Sequence, residues 1–156
     1  MLRALLAIAL VFALGQTAAA EDSREGYYYP PVGSEESFER ELAGVPPTAR
    51  QVRVSFITQL TKAQMAAPEA PRFAVFAKGS DAEHMIIVAL DDGVFKTLFR
   101  ARAVLAQLTS NARSTEFFQR NNIAETATWF DLAKLLGFED LVISDGETWS
   151  HRVRFR

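Results

Sequence analysis

The chain carries two histidines, His84 and His151, and no cysteine. Proton transfer near neutral pH through an imidazole must therefore use one of these two residues. The lack of cysteine removes disulfides, thiolate metal sites, iron–sulfur clusters and cysteine nucleophiles. His151 alternates with Trp149, Val153 and Phe155 along an extended stretch, and a tight Asp145-Gly146 turn would set Asp140 opposite it. An Asp–His pair is two-thirds of a catalytic triad. No serine in a G-x-S-x-G context accompanies it, so the pair is read as a structural contact at a sheet end. His84 stands beside Glu83 with Asp81 near. That spacing matches no strong metal-binding motif, and neither a metal nor a cofactor is expected.

Arg102 is the most informative cation. On a helix running from Val94 to Thr109, Lys96, Arg100, Ala103 and Gln107 share one side, and Phe95, Leu98, Phe99, Leu105 and Ala106 share the other. Arg102 falls within the apolar group, where an unpaired guanidinium would cost several kcal/mol. One reading is a buried ion pair with Asp145, Asp131 or Glu83. Another is an anion site that recruits Arg100 or Lys78. The turns Lys78-Gly79-Ser80 and Ser144-Asp145-Gly146 would add a small polar cleft if their hairpins lie side by side. The candidate binding residues are thus Arg100, Arg102, Lys78 and Asp145, and no residue is assigned a catalytic role.

The elements that must position these groups follow from pattern. Arg72–Ala77 and His84–Leu90 flank turn formers and predict an antiparallel hairpin, with the second strand apolar at six consecutive positions and central in its sheet. Asp91-Asp92-Gly93 introduces the Arg102 helix. Thr115 to Arg120 suggests a helical turn presenting Phe117 and Phe118. Thr128 with Asp131 forms a capping box for a helix that Gly137 ends. Asp140–Ser144 and Thr148–Phe155 make a second hairpin, whose two-residue loop would pair Val142 with Trp149, Asp140 with His151 and Glu139 with Arg152. Upstream, Thr48 and Gln51 read as a capping box for a helix to about Ala66 with Val52, Phe56, Leu60 and Ala63 on one face, although its β-branched start also suits a strand. Ser34 is placed to cap a short helix through Leu42 with Phe38 on its inner face. The expected fold is α+β in a single domain: a small antiparallel sheet of two β-hairpins packed with about three helices, mainly on one face.

The first residues read differently from the rest. Arg3, an apolar run from Ala4 to Gly15 and small residues through Ala20 have the layout of a secretory signal peptide cleaved after Ala20. The run is well short of the ~20 residues that span a bilayer, so no stable membrane span is expected after cleavage. The organisation is therefore 1–20 signal peptide, 21–47 irregular lead-in and 48–156 α+β domain, with a periplasmic location. In the lead-in, Tyr27-Tyr28-Tyr29-Pro30-Pro31 is stiff and aromatic, suited to a strap over the domain or to a partner-binding epitope. The mature chain of 136 residues loses Arg3 from 17 basic residues against 19 acidic ones, a formal charge of −3. Such a balance does not favour nucleic acid as a partner. A periplasmic protein also meets no ATP or GTP pool.

The segments Phe76-Ala77-Lys78-Gly79, Met85 to Leu90, Arg100-Ala101-Arg102-Ala103, Leu136-Gly137-Phe138 and Ser144-Asp145-Gly146, with the Tyr-Tyr-Tyr-Pro opening, resemble a small family of exported bacterial proteins without a defined activity. The likeness spans most of residues 27–153. Its members sometimes carry the label molybdopterin-guanine dinucleotide biosynthesis protein A, which implies a nucleotidyltransferase. This sequence lacks the glycine-rich Leu-Ala-Gly-Gly type loop and the Arg-Met-Gly segment of those enzymes, so no catalytic residue carries over. The sequence reading is an exported, non-enzymatic accessory or binding protein with a possible envelope protein partner. The alternatives are the nucleotidyltransferase of the label and a small-anion site or enzyme around Arg102.

Overall fold

A computed structural model of the chain describes residues 29–40, 49–114, 119 and 125–156. In chain order these form β1 (Ser34–Phe38), α1 (Arg50–Ala66), β2 (Phe73–Lys78), β3 (His84–Ala89), α2 (Leu98–Arg113), α3 (Trp129–Leu135), β4 (Asp140–Ser144) and β5 (Ser150–Phe155). The signal-peptide reading of residues 1–20, Tyr27, Tyr28, Leu42, Thr48, Phe117 and Phe118 lie outside the described residues. Among the described residues no helix is long and apolar enough to cross a membrane.

The fold is α+β, with the five strands ordered β1-β5-β4-β3-β2. The sheet is mixed rather than antiparallel throughout. β2–β3 and β4–β5 are antiparallel hairpins, but β3 pairs parallel with β4 and β1 parallel with β5. The all-antiparallel expectation failed because sequence patterning does not disclose how two hairpins are joined. Residues between β3 and β4 supply α2 and α3, and a crossover of that length is what a parallel join requires. β4 is fully buried in the middle of the sheet, and β3 is interior between β4 and β2 with Met85, Ile86 and Ile87 buried.

Strand alternation divides the interior. Met85 and Ile87 of β3, Leu141 and Ile143 of β4 and Val153 of β5 meet Phe95, Leu105, Leu108, Trp129 and Leu132 in the main core. Each such side chain contributes about 1.5–3 kcal/mol on leaving water. The opposite face carries a smaller cluster in which Tyr29 packs on Ile86 and Val142. Its backbone is tied down by Ser150 Oγ, which donates to the carbonyls of Pro30 (2.9 Å) and Pro31 (3.0 Å).

Several local expectations are corrected. Ser34 does not cap a helix: Ser34–Phe38 is an edge strand, whose alternation sends Ser34, Glu36 and Phe38 to the helix-bearing face and Glu35 to Arg154 on the other. Phe38 meets Phe130 and Phe155 edge-on. In α1 the N-cap is Ala49, without a side-chain cap, and the inward face is Arg53, Phe56, Ile57 and Leu60, leaving Val52 and Ala63 exposed. Helix α2 starts at Leu98 behind a Thr97 cap, four residues later than Val94, because residues 91–97 are spent in turns that bury Val94 and Phe95. The capping box of α3 is formed as read: Thr128 N–H donates to Asp131 Oδ2 (2.7 Å) and Asp131 N–H to Thr128 Oγ1 (3.3 Å).

The last hairpin is also corrected. Ser144 pairs with Ser150, Val142 with Arg152 and Asp140 with Arg154. The loop holds five residues rather than two, since the Asp145 carboxylate gathers the N–H groups of Glu147 (3.0 Å), Thr148 (2.8 Å) and Trp149 (2.8 Å). Partial burial disfavours its charge, but those donors and the Thr148 hydroxyl prevail and draw its pKa down to about 2.

Candidate functional site

The four residues singled out for binding do not converge. Parallel pairing aligns the start of β3 with the start of β4, so Lys78, His84 and Asp140 share one end of the sheet. Asp145 follows Ser144 at the other, four residue steps or about 13 Å away. The two turns therefore cannot form a common cleft. Arg100 lies at the N-terminus of α2, where its Nη1 donates to the Gly93 carbonyl.

Arg102 is not buried. Its side chain is 61% exposed, and Nη2 lies 3.1 Å from Glu36 Oε2 rather than near Asp145, Asp131 or Glu83. The error was one of phase: the buried face of α2 is Ala101, Leu105, Leu108 and Ala112, and Phe99, counted as inward, is 83% exposed. The buried guanidinium is that of Arg53 on α1, 6% exposed. Its Nη2 and Nε donate to the Asp81 carbonyl at 2.8 and 3.1 Å, and Nη1 reaches the Gly137 and Leu136 carbonyls at 3.2 and 3.3 Å. Arg53 thus closes the C-terminal end of α3, where carbonyls lack helical partners, onto the β2–β3 turn.

Each histidine has a carboxylate partner. His84 Nδ1 is 3.1 Å from Asp140 Oδ2 and Nε2 is 3.4 Å from Glu83 Oε1. The Asp140 hydrogen bond is the chief reason that its pKa is raised, against partial burial and with help from the charges of Asp140, Glu83 and Glu139. The Asp–His pair anticipated from sequence thus exists with the other histidine. Among the described residues, no group of three or more histidine, aspartate or glutamate side chains is arranged to hold a metal ion.

His151 sits on the helix-bearing face, 3% exposed and stacked at 14° on Trp149. Its Nδ1 is 2.8 Å from Ser34 Oγ, and its Nε2, which makes no hydrogen bond among the described residues, faces Glu36 Oε1 at 3.5 Å. The other Glu36 oxygen takes Arg102. Ser34, Glu36, His151 and Arg102 therefore form one connected chain from an exposed serine through a buried imidazole to an exposed guanidinium, assembled by β1, β5 and α2. Sequence reading reached Arg102 and His151 but missed Ser34 and Glu36. The available signal was the alternation in Ser34-Glu35-Glu36-Ser37-Phe38, which also suits a strand. No protein-family model, no curated protein and no solved structure matches this chain.

Proposed function

We propose that this chain is an exported accessory or binding protein of the cell envelope, and that it holds a small carboxylate-bearing ligand at the edge where Ser34 and Arg102 meet solvent. The export part rests on the layout of residues 1–20. The ligand part is carried by one observation: Arg102 is 61% exposed and paired with Glu36, at the end of the polar chain that begins at the exposed residue Ser34. A guanidinium has five N–H donors in a planar fork, so pairing Nη2 with Glu36 leaves donors for a bidentate carboxylate.

The test is a two-dimensional amide NMR titration of the mature chain with benzoate. Saturable shifts centred on Ser34, His151 and Arg102, absent from Arg102→Met, are expected. Shifts that stay linear to the solubility limit, or that persist in Arg102→Met, refute the ligand seat. N-terminal sequencing of the chain from fractionated cells is expected to begin at Glu21, and a chain retaining Met1 refutes export.

A further inference from the structure

We infer that Ser34, His151 and Glu36 form a nucleophilic relay, with Ser34 able to accept an acyl group from an ester. The inference rests on the seat proposed above and adds covalent chemistry to it.

A serine hydroxyl is a poor nucleophile unless a base takes its proton as it attacks. The requirement is a base within hydrogen-bond reach that is itself oriented by a third group. Ser34 Oγ lies 2.8 Å from His151 Nδ1, and Glu36 Oε1 lies opposite Nε2 at 3.5 Å. An imidazole with its proton on Nε2 leaves Nδ1 free to accept from Ser34, and Glu36 faces that N–H as a charge at 3.5 Å rather than as a hydrogen-bond partner. Three features separate this group from a purely structural contact. His151 is buried, whereas Ser34 is exposed to an incoming substrate. The imidazole is fixed by the Trp149 ring stacked against it. The carboxylate is held from its far side by Arg102. Ser34 and Glu36 are two residues apart on one face of one strand, and Ser34 is directly opposite His151 in the register, so strand geometry alone sets the spacing.

In the acylation step Ser34 Oγ bonds to the ester carbonyl carbon while its proton passes to His151 Nδ1. The C–O bond to the leaving alcohol then breaks, and the alcohol takes that proton from His151. Water reverses the sequence: it gives a proton to His151, its oxygen bonds to the acyl carbon, and the carboxylic acid leaves as Ser34 Oγ recovers the proton. Glu36 faces the imidazolium in both halves and acts as a positioning residue.

The test is covalent labelling of the purified mature chain with a fluorophosphonate, followed by intact mass and peptide mapping. One adduct on Ser34 is expected, absent from Ser34→Ala and at least ~100-fold slower in His151→Asn. Glu36→Gln is expected to lower the saturating labelling rate with no change in the half-saturating probe concentration. Circular dichroism of each variant, matched to native, keeps loss of labelling separate from loss of fold. No Ser34 adduct on the native chain, or equal labelling rates in native and His151→Asn, overturns the relay. Benzoate binding without labelling would remove the chemistry while leaving the ligand seat standing; absence of both removes both.

Discussion

The molecule contains two arginine–histidine regions that look alike in sequence and differ in construction. At one end of the sheet, Arg53 is buried against the carbonyls of Asp81, Leu136 and Gly137, and His84 lies between Asp140 and Glu83. On the β1–β5 edge, Arg102 is mostly exposed and His151 is buried between Ser34 and Glu36. The first region spends its cation on main-chain carbonyls at a turn and a helix end, which is the work of a structural tie. The second ends in an exposed serine and a mostly exposed guanidinium, which a tie does not need. The distribution of exposure, rather than the residue types, separates the scaffold from the candidate site.

The largest expected effect tests the scaffold side of this contrast. Arg53→Met keeps an apolar stem but buries no charge and removes the guanidinium that ties the carbonyls of Asp81, Leu136 and Gly137 together, at a cost of about 3–5 kcal/mol. A fall in Tm on the order of 10 °C should follow for a chain of this size. Arg53→Lys, with a point charge in place of a fork, should lose less. A change in Tm of less than a few degrees for Arg53→Met, measured by calorimetry, would show that water satisfies those carbonyls.

How much of this was readable in the sequence depended on how local the cause was. The Thr128–Asp131 box and the Gly137 stop involve neighbours in the chain, and the structure forms both. The final hairpin was recognised but misregistered, because Asp145 acts through a side chain that accepts three N–H groups rather than as half of a two-residue turn. Arg102 was misplaced by treating Phe95 and Phe99 as members of one helical face, when the first lies in a turn and the second points outward. Arg53 fits the i, i+3, i+4, i+7 spacing with Phe56, Ile57 and Leu60 and was open to discovery. The Ser34–His151 contact joins residues 117 positions apart through parallel pairing, and no local pattern encodes it.

A smaller effect sharpens the comparison of the two histidines. Because Asp140 raises the His84 pKa above its ordinary 6.5, folding binds a proton there more tightly than the unfolded chain does. The resulting stability is fully present below about pH 6.5 and is lost as pH rises through the folded value. The side chain is 41% exposed, so solvent screening keeps the contribution below about 1 kcal/mol. His84→Gln is therefore expected to lower Tm by a degree or two at pH 5.5 and to converge on the native curve by pH 8.5. A deficit that is equal at both pH values would mean that packing, not charge, is what His84 supplies.

The smallest expected effect on stability is the most diagnostic. Arg102→Met repeats, on α2, the substitution made at Arg53 on α1. The guanidinium it removes is 61% exposed and faces a carboxylate that is itself 36% exposed, a surface pair worth at most about 0.5 kcal/mol. The methionine stem retains contacts made by the arginine methylenes. Tm should therefore stay within about 2 °C of native while benzoate binding disappears. The paired outcome, a large stability loss at position 53 and almost none at position 102, would establish that the two arginines do different work. A stability loss at Arg102 approaching that at Arg53 would make Arg102 a clasp between β1 and α2, and loss of benzoate binding in that variant would then report a disturbed edge rather than a missing ligand group.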